Sequence, residues 1–210
     1  MILLRARNWC LGWTVLLGFA LLAAAPILAF AQDTGGPEFS LSPDASEPVL
    51  VLSETPTELV DVPPRVLRVF ADGHCELDVP EIMRGAGHYE WDVSPDVVEA
   101  LTQQALAAGV HVLEPAALRA SLRASRVVDD SLGQTYRFDD EVIEFEVNVA
   151  RYRSAPGAAW SRLRRRVKWI GLRSDRARHP QDDRLQRLMG LRDELDAMGT
   201  AYLEREGKFP

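Results

Sequence analysis

His88, Glu90 and Asp92 occupy alternate positions of one segment, and alternation along a β-strand puts all three on the same face. With His74 on a neighbouring segment they are the residue types from which a metal centre or an acid–base hydrolytic site is built. Geometry argues against that use. A zinc site needs three or four ligands converging at about 2 Å, whereas a strand spaces i and i+2 side chains roughly 6.5–7 Å apart. Three polar groups on the wet face of a half-buried strand are the ordinary meaning of such a row. A pocket uniting His88, His111 and a carboxylate would favour an enzyme, and a hydrolase or metal-dependent enzyme built on His74, His88, Glu90 and Asp92 is the alternative reading. His111 lies between Val110 and Val112, and His179 precedes Pro180 in a polar stretch. The chain has no G-x-S-x-G elbow and no H-E-x-x-H, and Gly85-Ala86-Gly87 is too short to cradle a phosphate. The sequence therefore assigns no catalytic residue, metal or cofactor.

The basic run is the stronger lead. Residues 151–178 hold ten basic side chains against Asp175 alone. Trp160, Leu163, Val167 and Ile170 follow at i, i+3, i+7 and i+10, which predicts an amphipathic helix. Its other face would carry Arg162, Arg164, Arg165, Arg166 and Lys168, the candidate binding residues. Such a face fits an acidic protein or an envelope component. Nucleic acid fits poorly, because no recognition motif accompanies the run and the rest of the chain is acidic. The competing use is internal, with the basic residues compensating Glu144, Glu146 and the acidic segment before residue 65. The charge layout favours this internal use and leaves the external one open.

These residues need a scaffold, and its elements are legible. Val66–Phe70 is β-branched and apolar, and Asp72-Gly73 supplies a turn that favours positive φ. Cys75, Leu77 and Val79 alternate with His74, Glu76 and Asp78 on the return strand. In a third strand Tyr89, Trp91 and Val93 face the core. Ser94-Pro95-Asp96 then opens a helix with Val97, Val98, Leu101, Ala105 and Ala108 on its apolar side, and Gly109 closes it. Val110–Leu113 reads as a short strand and Pro115–Ala124 as a short helix. After Tyr136-Arg137-Phe138 and a turn at Asp139-Asp140, Ile143, Phe145, Val147 and Val149 alternate with Glu144, Glu146 and Asn148, the period of two that marks a strand. A polar loop over Ser174–Asp183 leads to a last helix lined by Leu188, Leu191, Leu195, Met198 and Tyr202, weakened by Gly190 and Gly199. Strands grouped in hairpins before clustered helices predict an α+β fold, a mainly antiparallel sheet packed by about three helices.

The N-terminal part reads as an export signal. Arg5 and Arg7 are the only charges in the first 32 residues, an apolar run rich in Leu and Ala follows, and Ala29-Phe30-Ala31 offers small residues at −3 and −1. An uncleaved anchor is the competing reading, since about 20 apolar residues span a bilayer. Either way the bulk of the chain is expected outside the cytoplasm, periplasmic or secreted. Residues 32–64 carry six prolines, seven acids and no base, which predicts a mostly disordered linker, with Val49–Leu52 able to add a strand at a sheet edge. The expected organisation is a signal at 1–31, the linker at 32–64, an α+β domain at 65–173, and a polar loop with a C-terminal helix at 174–210. Cys75 is the one cysteine after the signal, so no internal disulfide can form, and it reads as a small buried hydrophobe.

From Val66 to Trp169 the layout resembles small exported bacterial domains of unknown function. The shared pattern is strand, Asp72-Gly73 turn, returning strand, Gly87, the Ser94-Pro95 helix start, and Asp129 or Asp130 ahead of a later hairpin. A closing helix near a proline, here Pro156 to Trp169, completes it. The layout is also similar to emfourin-type peptidase inhibitors, although their Gly-Gly turn is missing here. The resemblance implies a non-enzymatic domain working by protein or envelope contact, inhibition included.

Overall fold

The computed structural model describes residues 37–41, 46–56, 61–124 and 141–208. The export signal lies outside them, as do Asp129, Asp130 and the hairpin arm Tyr136–Phe138 with its turn. Among the described residues seven strands form one antiparallel sheet: β1 (Glu38–Ser40), β2 (Pro48–Pro56), β3 (Arg65–Phe70), β4 (His74–Val79), β5 (Gly87–Asp92), β6 (Glu141–Arg153) and β7 (Ser161–Ile170). The helices are α1 (Pro95–Ala107), α2 (Pro115–Ala124), α3 (Leu172–Arg178) and α4 (Asp183–Arg205). The fold is α+β, as the hairpin grouping predicts.

The long strand β6 organises the sheet. It pairs β2 through Leu50↔Val147 and Leu52↔Phe145, continues along β1 through Phe39↔Tyr152, and takes β7 on its other flank through Phe145↔Val167. From β2 the sheet runs outward through β3 and β4 to β5. The alternation read from sequence fixes the faces. Ile143, Phe145, Val147 and Val149 are all buried, together with Leu50, Leu52, Leu67, Val69, Cys75 and Leu77 from the strands beside them. Helices cover this side: Val98 and Leu101 from α1, Leu118 and Leu122 from α2, Leu172 from α3, and Leu185, Leu188, Leu191, Leu195 and Leu203 from α4 join the same cluster.

Two glycines explain local choices. Gly73 sits at φ +99°, and a Cβ there would lie 2.1 Å from the Val93 carbonyl oxygen, which no side chain tolerates. Its own carbonyl accepts from the Val93 amide at 2.9 Å, tying the first hairpin to the end of β5. The loop is three residues, Ala71–Gly73, one longer than the two-residue turn expected. Gly199, which helix propensity alone marks as a weakness, is where α4 meets the sheet: a Cβ would touch Leu77 at 3.3 Å and an Arg65 nitrogen at 3.1 Å. At the start of α4 the Asp182 carboxylate accepts from the amides of Arg184 (3.0 Å) and Leu185 (3.3 Å).

The structure corrects several expectations. Val49–Leu52 belongs to a nine-residue strand inside the sheet, between β3 and β6, so ordered structure begins well before Arg65. Val110–Leu113 is a turn closed by bonds from the Val112 and Leu113 amides to the Gly109 carbonyl, because Val110 and Leu113 reach the core without pairing. The polar stretch after Ser174 contains most of α3, and α4 shares the core of the sheet. The largest correction falls on the basic run. Ser161–Ile170 is strand β7 and no helix. The decisive period is two: Leu163, Val167 and Trp169 turn toward the core while Arg162, Arg164, Arg166 and Lys168 turn away. A helix would have left Trp169 outside its apolar stripe, whereas the strand buries it to 1% exposure.

Candidate functional site: the open face of the sheet

Helices cover one side of the sheet, and among the described residues the other side is presented mainly by strand side chains. Register places them in rows. Arg164 of β7 stands opposite Asn148 of β6, Arg166 opposite Glu146, and Lys168 opposite Glu144. Val51 and Ser53 of β2 follow, then Arg68 of β3, then Glu76 and Asp78 of β4, then Glu90 and His88 of β5. The face is therefore a charge pattern: a cationic edge, an acidic row beside it, a neutral stripe, and an acidic far edge with histidines.

The cationic edge is held in place from beneath. Glu146 is only 10% exposed at its side chain and accepts from Arg164 Nε at 2.9 Å and from Arg166 Nε and Nη2 at 3.0 and 2.7 Å. Arg166 also reaches Glu144 at 3.2 Å. Arg162 pairs with Glu47 and donates to Asn148 Oδ1, and Asn148 in turn donates to Glu47 at 3.0 Å. The arginine side chains stay 56%, 59% and 63% exposed at residues 162, 164 and 166. Each thus spends part of its donor fork on a glutamate and turns the rest to solvent. Lys168 is exposed at the end of the row. Arg165 leaves the row: it points to the opposite face, where it pairs with Glu114 and donates to the Leu113 carbonyl at 3.1 Å. Trp160, expected as an apolar anchor, lies 38% exposed before β7 with the guanidiniums of Arg151 and Arg153 at 4.6 and 4.7 Å from its ring.

Glu146 gives this edge a measurable signature. Burial pushes its carboxyl up, but the hydrogen bonds and charges of Arg166 and Arg164 outweigh burial and hold it below the usual carboxylate range. A depressed native pKa contributes stability above the unfolded value, and that contribution is lost as pH falls through the native one. Replacing both Arg164 and Arg166 by Gln should cost about 1–3 kcal/mol, since it leaves a poorly hydrated carboxylate without its donors. Adding Glu146→Gln should return most of that loss and flatten the acid limb of stability against pH. Urea midpoints of the single, double and triple variants measure the coupling directly.

The histidine row is assembled but occupied. His88 Nδ1 lies 2.7 Å from Asp78 and Nε2 lies 3.0 Å from Glu90, so both ring nitrogens face carboxylates. The Asp78 and then the Glu90 hydrogen bonds raise its pKa, favouring the imidazolium. His74 sits 3.5 Å from Asp92 and 3.8 Å from Glu76. The hydrolytic or metal reading would draw on His88, whose two ring nitrogens both lie against carboxylates. No cluster of three or more candidate metal ligands occurs among the described residues. His111 is elsewhere, its ring 5.4 Å from Tyr152 of β6, four strands away from β5 in the sheet order. Burial lowers its pKa. Cys75 is fully buried, and burial first, then Asp92 and Asp72, pushes its thiol up to about 12, as suits a small core side chain.

Sequence reasoning named Glu144 and Glu146 as internal partners of the basic residues, and the ion pairs bear this out. The acidic segment before residue 65 supplies Glu47, as that reading had it, whereas Asn148 went unnamed as a partner; its signal was the parity it shares with Glu146 along β6. No protein-family model matches the chain, and no curated protein or solved structure does so either.

Proposed function

We propose that this chain is an exported, non-enzymatic binding domain that engages an acidic protein or envelope component through the cationic edge of its open sheet face. The observation that carries this reading is the state of Arg162, Arg164 and Arg166. All three are more than half exposed, yet their inner nitrogens are fixed by Glu47, Asn148 and Glu146. Arginines ordered before a partner arrives lose less side-chain entropy on binding, which is where preorganisation contributes affinity. Internal compensation and external binding are then one arrangement: the glutamates orient the row and the row meets the partner. An edge strand rich in Arg also resists unwanted strand pairing, which keeps such a face available. A peptidase carrying an acidic surface is one partner class, in line with the inhibitor resemblance. The test is capture from extracytoplasmic material with the full chain as bait, beside the Arg162→Gln/Arg164→Gln/Arg166→Gln variant. The reading expects an acidic protein or polymer retained by the first and lost by the second at equal folding. Equal retention by both contradicts it.

A further inference from the structure

A second basic feature lies away from the open face, where the end of β7 meets α2 and α3. Here a concavity of about 250 Å³ is ringed by Arg119 and Arg123 of α2, Arg178 of α3, and His179. Among the described residues of its lining Asp175 is the only carboxylate, against three guanidiniums, in a chain whose net charge is −7. From this convergence we infer that the concavity is a binding site for a small tetrahedral oxyanion of the phosphate class.

Three features support the assignment. Arg119 is fixed before any ligand arrives: its guanidinium lies 4.7 Å over the buried Trp169 ring, and one Nη donates to the Ile170 carbonyl at 3.2 Å. Among the described residues the other donors of that fork meet no acceptor. Trp169 is itself locked, since its Nε1 donates to Asp175 at 3.0 Å, which holds that carboxylate against the indole. Arg178 comes no closer to Asp175 than 3.9 Å, a loose pair that leaves its donors available. Arg119 and Arg123 stand four residues apart on α2, which puts both on the same side of that helix. Size selects the ligand. Sites for drug-sized molecules occupy roughly 300–1,000 Å³, and this one falls below that range. Planar forks from two helices suit the several oxygens of a phosphate, which can accept from more than one guanidinium at once.

The site is independent of the open face and is tested separately from it. Inorganic phosphate is titrated calorimetrically into the full chain at constant ionic strength, with chloride as the balancing anion. A saturable heat with one site per chain is expected. Arg123→Gln/Arg178→Gln, which leaves the Arg119–Trp169 stack intact, should weaken binding about tenfold or more without changing the thermal midpoint in chloride. Arg162→Gln/Arg164→Gln should bind phosphate like the parent. No saturable heat, equal affinity in Arg123→Gln/Arg178→Gln, or equal weakening by the open-face variant would each overturn the assignment.

Discussion

A chain that begins at Arg65 should not fold. The sequence pattern places the boundary of order there, but β2 pairs with β3 on one side and β6 on the other, so its removal splits the sheet. Val49, Leu50 and Leu52 are each exposed by 3% or less. Burial of three such side chains is worth about 4–9 kcal/mol, before counting two hydrogen-bonded ladders. Net stabilities of domains are about 5–15 kcal/mol, so the loss is comparable to the whole. Glu54 would go as well, and with it the cluster in which it binds Arg65 at 3.0 Å and Arg192 at 2.7 Å, joining β2 to α4. The expected result is a chain without near-ultraviolet dichroism or a cooperative thermal transition. A resistant, cooperatively unfolding core from residue 65 would show that β2 is dispensable.

Trp169→Ala should be the most damaging single substitution in the basic run, by about 3–5 kcal/mol. The side chain is 1% exposed and among the largest fully buried in the described residues. Trp169→Phe keeps much of the volume but removes the indole donor from Asp175, a bond to a carboxylate worth about 1.5–3 kcal/mol. Both should shift the urea midpoint at an unchanged slope. Losses under about 0.5 kcal/mol at both, the range of surface positions, would restore the helical reading, which left Trp169 off the apolar stripe.

Why the sequence misled at β7 and not at β6 is a matter of composition. On β6 every second residue from Ile143 to Val149 is apolar, and only a strand satisfies that. On β7 Arg165 interrupts the alternation, so the apolar residues left at 160, 163, 167 and 170 fit a helical stripe by accident. Arg165 can face inward because Glu114 and the Leu113 carbonyl wait there, a tertiary fact no local window contains. The same holds for β2. Its prolines and acids resemble a solvated linker, yet Pro48 and Pro56 lie at its ends and Glu54 is answered by Arg65 and Arg192. The hairpin β3–β4, the inward faces of β4 and β5, and helices α1, α2 and α4 were readable from their apolar patterns, although the hairpin loop is a residue longer than its turn signal and Ser94 makes no side-chain cap bond. The charged face was readable in part: the glutamates and arginines were visible, but which of them meet depends on register.

The central claim is that the exposed, pre-oriented arginine row binds acidic ligands. Fluorescence anisotropy of a labelled polyglutamate peptide, titrated with the full chain at low and at physiological salt, tests it most directly. The account predicts binding that weakens with salt and is lost in Arg162→Gln/Arg164→Gln/Arg166→Gln, measured well below the thermal midpoint of each protein. It also predicts that Arg119 and Arg123, off the open face, contribute little, so that their Gln variants bind like the parent. Binding by the triple variant equal to that of the parent would contradict the account.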